Sequence, residues 1–174
     1  MGLLWKHVDE GYLDWMRANH EKRIPLTEYG DDRFKPFFGS LFDVGDLIYV
    51  TQISSPKPKH YNMKNAIDFY KIYHPRNKSL ISVVNLNYMF PVHCSLVEDI
   101  EYRNIEKYRS FKDITEKSRY INLMRLEMQE INKLNLIEAS KRLYRLKQER
   151  PDDKVAMRCF DFKGLEAKCI EYFL

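Results

Sequence analysis

Between residues 54 and 64 the sequence gathers Ser54, Ser55, Lys57, Lys59, His60, Tyr61, Asn62 and Lys64. Hydroxyls and ammonium groups packed this closely suit a phosphate: serine donates hydrogen bonds and lysine supplies charge. His60 adds a group able to exchange a proton near neutral pH. Pro56 and Pro58 restrict the backbone, so the stretch is expected to be partly ordered before a ligand arrives. The alternative is an ordinary exposed loop rich in serine, proline and lysine. A second basic cluster lies in residues 133–150, where six bases stand against two acids and Lys141, Arg142, Arg145 and Lys147 share one expected helix. Such a helix can neutralise phosphates, or it can be the solvated side of an amphipathic segment.

No standard catalytic signature competes with these clusters: P-loop, nucleophile-elbow, zinc-protease and EF-hand patterns are all missing from the sequence. His7, His20, His60, His74 and His93 are scattered, and Asp31-Asp32 reads as a solvated turn rather than a metal site. No metal and no other cofactor is expected. A nuclease made from these groups would use side-chain acid–base chemistry and the RNA 2′-hydroxyl as internal nucleophile. The 174 residues carry a net charge of +4, which admits a polyanionic partner without requiring one.

The elements that must position these groups read as α+β. Residues 3–8 suit a short strand, and Asp9 can cap a helix whose apolar side holds Tyr12, Leu13, Trp15 and Met16. Residues 21–34 read as loop. A hairpin follows, PFFGSLF and LIYVTQI around an Asp-Val-Gly-Asp turn, with Gly45 at the position that tolerates positive φ. Strands are expected at 67–73 and 80–86, with 88–92 continuing or turning a corner at Pro91. Four β-rich segments so close together predict a curved antiparallel sheet or small barrel. Helices are expected over 111–132 and 136–150, the second stopped by Pro151. A further strand is expected at 155–160, then a short helix capped by Asp161. At about 150 residues per domain, residues 1–174 form one domain. Cys94, Cys159 and Cys169 are too few and too far apart for a zinc site or a disulfide framework, so buried free thiols in a reducing cytosol are expected. The N-terminus turns acidic too early for a signal peptide, and no apolar run approaches membrane-spanning length.

Four motifs in order resemble the ToxN/AbiQ family of type III toxin–antitoxin systems. They are Tyr12 in GYLDWM, Lys35-Pro36-Phe37-Phe38-Gly39, Ile53-Ser54-Ser55-Pro56-Lys57, and Asn85-Leu86-Asn87-Tyr88-Met89-Phe90-Pro91-Val92. The resemblance implies a cytoplasmic, metal-independent, sequence-preferring endoribonuclease acting in plasmid or phage defence, including abortive infection. Its inhibitor would be a small structured RNA derived from tandem repeats, which the enzyme itself processes, and protein and RNA would assemble into a closed ring. The implied fold is a strongly twisted antiparallel sheet with a barrel-like core, flanking helices and a helical C-terminal half.

Carried onto this chain, the resemblance implies a catalytic set of Lys35, Ser54, Ser55 and Lys57. The lysines would stabilise charge on the scissile phosphate, and a serine hydroxyl would orient the 2′-hydroxyl or relay its proton with help from a lysine. Tyr12, Lys59, His60 and Lys64 would contact the mRNA substrate, although Lys59 stands where some relatives carry an aromatic residue. Lys141, Arg142 and Arg145 would hold the RNA antitoxin. The implied products are a 2′,3′-cyclic phosphate and a 5′-hydroxyl. Two other readings use the same residues: a non-catalytic RNA-binding module, and a protein-interaction domain whose basic helix meets an acidic partner.

Overall fold

The computed structural model describes residues 2–27 and 33–174, so the expected Tyr29-Gly30-Asp31-Asp32 turn lies outside the described residues. The chain opens with β1 (Leu4–Val8) and α1 (Glu10–Asn19). Asp9 caps α1 as expected, its carboxylate accepting the Tyr12 N–H at 2.8 Å. Seven more strands follow: β2 (Phe37–Gly39), β3 (Asp43–Val44), β4 (Leu47–Ser54), β5 (Phe69–Tyr73), β6 (Leu80–Asn85), β7 (Phe90–His93) and β8 (Val97–Asp99). The helices are α2 (Ile114–Lys133), α3 (Leu136–Glu149), α4 (Lys154–Arg158) and α5 (Phe162–Glu171).

All strand pairings are antiparallel and run in the order β5-β6-β4-β2-β1-β8, with β3 and β7 also on β4. The sheet does not close: the end strands β5 and β8 are unpaired with one another among the described residues. The expected barrel-like core is therefore corrected to an open sheet followed by a helical C-terminal part. One strand organises it. Residues Leu47–Val50 of β4 pair with β7, Phe37 and Phe38 of β2 lie opposite Gln52 and Thr51, and Ile53 and Ser54 pair with β6. Changing partners along its length lets β4 carry Ser54 from the β7 side of the sheet to its pairing with Val83 of β6.

Two glycines are required by this geometry. Gly45 sits at φ +59° in the β3–β4 turn, and a side-chain carbon on Gly39 would come 3.0 Å from the Tyr49 carbonyl. The expected strand at 155–160 is helical instead. Asp153 caps α4 by accepting the Val155 N–H at 2.8 Å, so the chain after Pro151 restarts a helix. Cys159 leaves it extended, and the Phe160 N–H then reaches the Asn87 carbonyl at 3.1 Å. Cys159 and Cys169 are buried and free, whereas Cys94 is exposed, against expectation. No described helix is long and apolar enough to cross a membrane.

A single apolar cluster joins the sheet to the helices. The Trp5 indole donates to the Met124 carbonyl at 3.0 Å, tying β1 to α2. Tyr49 and Tyr144 both donate to Glu166 Oε1, at 2.8 and 2.5 Å, tying β4 and α3 to α5.

Candidate active site

The end of β4 separates two cavities. The larger, about 680 Å³, is lined by Ser54, Lys57, Lys59, His60 and Lys64, with Arg23 and Arg158 completing a cationic wall. The smaller, about 190 Å³, is lined by Lys35, Ser54 and Ser55. Ser54 thus faces both, and the loop residues expected to handle phosphate do converge. The four residues proposed as catalytic divide about Ser54, Lys35 and Ser55 lying on one side and Lys57 on the other.

The loop is locked by its own backbone. The Lys57 N–H donates to His60 Nδ1 at 2.9 Å, while the His60 N–H returns to the Lys57 carbonyl at 2.8 Å. Pro58 opens the 3-10 turn that closes this pair. With Nδ1 accepting, neutral His60 carries its proton on Nε2. Burial, followed by the charges of Lys59, Lys57 and Lys71, lowers its pKa and favours that neutral form. His60 therefore offers a hydrogen-bond donor rather than a free base. On the other side of the site, Gln52 holds the Lys35 backbone by donating to its carbonyl at 2.8 Å, and the Lys35 N–H donates to the Thr27 carbonyl at 2.7 Å.

Tyr12 does not belong to this site. Its ring is completely buried and its hydroxyl donates to the Pro91 carbonyl at 2.8 Å. Burial, then Cys169, drives the phenol pKa far above its usual value. The expected RNA contact is corrected to a core position that joins α1 to β7. Lys141, Arg142 and Arg145 are exposed on α3, and Lys141 pairs with Glu138 at 3.4 Å. α3 packs against the 3-10 turn Leu86–Tyr88, whose Asn87 and Tyr88 line the larger cavity. The basic helix thus stands behind one wall of the cleft without entering it.

Sequence reasoning missed several lining groups. Arg158 grips Asp68 through two nitrogens, at 2.9 and 3.1 Å, and this pair sits in the cavity wall. Asn85, Asn87 and Tyr88 lie within one of the four motifs, so that motif was the signal for them. Glu127 of α2 lines the smaller cavity, and nothing local in the sequence marks it. Burial raises its pKa from the ordinary 4.5 to about 7, partly opposed by the nearby Ser82 hydroxyl.

That shift has a consequence for stability. A carboxyl whose pKa is raised by folding binds its proton more tightly in the folded state, so its contribution to stability is greatest below pH 4.5 and is lost as pH rises through about 7. Glu127→Gln should therefore be more stable than the parent at pH 8 by about 2–3 kcal/mol, the difference shrinking toward pH 4.5. Urea unfolding at the two pH values checks this, and a difference independent of pH would refute it.

Three solved structures share the architecture. One is a toxin of a bacterial type III toxin–antitoxin system selectively inhibited by a non-coding RNA pseudoknot, at TM-score 0.77 and 20% identity over 99% of both chains. Another comes from a bacterial antiviral system regulated by a processed non-coding RNA, at TM-score 0.75 and 18% identity over 98% of both chains. The third is AbiQ, a lactococcal anti-phage endoribonuclease of a type III system, at TM-score 0.74 and 18% identity over 99% of both chains. The α+β fold is thus that of type III toxins. The family described as Toxin ToxN, type III toxin–antitoxin system, matches residues 5–169, and the chain belongs to it. No curated protein matches the chain.

Proposed function

We propose that this protein is the endoribonuclease toxin of a type III toxin–antitoxin system with an anti-phage role, held inactive by a small repeat-derived RNA that it also processes. The observation that carries the reading is the position of Ser54 between the two cavities, with Lys57 on one side and Lys35 and Ser55 on the other. A phosphate seated there would meet hydroxyls and two ammonium groups together. Family membership and the AbiQ-like fold support the same reading.

In the proposed reaction the RNA 2′-oxygen attacks the adjacent phosphorus. The P–O5′ bond breaks, leaving a 2′,3′-cyclic phosphate and a 5′-hydroxyl. Ser54 or Ser55 orients the 2′-hydroxyl and relays its proton by way of a phosphate oxygen to the leaving 5′-oxygen, since a serine hydroxyl alone is a poor base and the lysines stay charged. Lys35 and Lys57 balance the charge that builds on the phosphate oxygens. Lys59, His60 and Lys64 hold the RNA strand along the larger cavity. The reaction needs no metal ion. It takes place in the cytoplasm, and toxin and RNA antitoxin assemble into a ring.

RNA-free protein mixed with an mRNA pool in EDTA tests this directly. Discrete cuts with 5′-hydroxyl ends are expected. Intact RNA with folded protein would leave a binding module in its place. The antitoxin contact is assigned to Lys141, Arg142 and Arg145. Replacing both arginines with alanine should reduce the salt slope of antitoxin binding by roughly two phosphate equivalents. An unchanged slope would remove α3 from the RNA interface.

A further inference from the structure

The smaller cavity contains more than catalysis requires. Glu127 is only 8% exposed, and among the described residues no cation pairs with it. Ser82 of β6 is 2% exposed, lies beside that carboxyl, and its hydroxyl makes no well-formed hydrogen bond. Among the described residues, Ser82 and Glu127 have only each other's weak contact, which leaves most of their hydrogen-bonding capacity unused. Buried polar groups of this kind are costly, and where they are kept beside a reactive centre they commonly meet a ligand. The walls around them are apolar: Phe34, Ile81, Tyr120 and Leu123, with Lys35, Ser54 and Ser55 at the same cavity. The Tyr120 hydroxyl donates to the Phe34 carbonyl at 2.9 Å and so fixes the two rings beside Lys35.

At about 190 Å³ the cavity is smaller than the roughly 300–1,000 Å³ of a drug-sized ligand site. It admits one planar fragment. Single-stranded RNA offers such a fragment in an unstacked base, which proteins receive on apolar or aromatic walls and read along its polar edge. An exocyclic amino group carries two N–H bonds, enough for a Glu127 oxygen and Ser82 Oγ together. Adenine, cytosine and guanine have that group, whereas uracil presents carbonyls and a single N–H at its pairing edge.

We infer that this cavity is a base-specificity pocket, in which Glu127 and Ser82 select an amino-bearing nucleobase next to the scissile phosphate. The inference rests on the endoribonuclease reading for its role in cleavage. The pocket itself is a claim about binding and can be tested apart from cleavage.

At about pH 8.5, where the Glu127 carboxyl is ionised and can only accept, cut sites in a randomised RNA are mapped for the parent, Glu127→Leu and Glu127→Gln, each checked for folding by circular dichroism. The parent should disfavour uracil at one position flanking the cut. Glu127→Leu should lose about tenfold of that preference, as expected for one lost edge contact. Glu127→Gln, which adds a donor, should admit uracil. Identical cut-site preferences in all three folded proteins would overturn the pocket. In parallel, CMP, AMP, GMP and UMP are titrated while the Trp5 indole N–H resonance is followed, because Trp5 lines the same cavity. Shifts with the amino-bearing nucleotides, weaker with UMP and lost in Glu127→Leu, support the pocket. Absence of shifts overturns it. If the parent binds in this way but cuts no RNA, the endoribonuclease reading fails and the pocket stands.

Discussion

Lys57→Ala should slow RNA cleavage by about 10²–10³-fold at saturating substrate, the usual cost of removing one preorganised group that stabilises transition-state charge. The effect belongs in kcat because the Lys57 backbone is fixed before RNA binds: its N–H is held by His60 Nδ1 at 2.9 Å, and proline flanks it on both sides. Ser55→Ala should produce a loss of similar order if that hydroxyl guides the 2′-oxygen, whereas Ser54→Ala reports on the other candidate. Single-turnover rates on a short RNA with one cut site, with bound RNA measured separately, decide the matter. Rates within a few-fold of the parent for Lys57→Ala and both serine variants would refute the catalytic assignment. Lys141→Ala is the contrast, since it removes a surface charge and should act only through affinity.

Tyr12→Ala should cost about 3–5 kcal/mol of folding stability, the range for emptying a large aromatic site in a core. The ring is fully buried and stands edge-on to Tyr172 at 5.3 Å between centroids. Tyr12→Phe keeps that packing and loses only the hydroxyl bonded to the Pro91 carbonyl, which should cost about 1 kcal/mol. Cleavage by Tyr12→Phe should match the parent once both are folded. Chemical denaturation and a cleavage assay on the same samples separate the two roles. A stable Tyr12→Phe with strongly reduced cleavage would return Tyr12 to the RNA site.

Tyr12 also marks where local reading succeeds. As a residue of an amphipathic helix capped by Asp9 it belongs on the apolar side, and there it is found. The loop 54–64 was legible because its functional groups are neighbours along the chain, and turn residues held them there. The smaller cavity was not legible in this way. Lys35, Ser82 and Glu127 come from a loop, a strand and a helix far apart in sequence, and only the fold makes them neighbours. Arg23 and Arg158 likewise reach the larger cavity from distant segments. The barrel expectation failed for a related reason: strand content is local, but closure depends on which two end strands meet. The 155–160 stretch misled because its Val, Cys and Phe suit a strand, while the Asp153 cap outweighed that preference.

β4 shares its hydrogen bonds with β2, β3, β6 and β7. Its amides should be among the slowest to exchange with deuterium, opening only when the whole sheet does. The segment that follows lacks such ties and supplies few residues to the core. Ser54 therefore stands at a border between a strand bonded on every side and a segment that the core constrains little. Behind it, substitutions threaten folding; ahead of it, residues such as Lys59 and Lys64 can be exchanged at little structural cost. The proposed RNA contacts at Lys59 and Lys64 can thus be altered without disturbing the strand that carries the Ser54 hydroxyl.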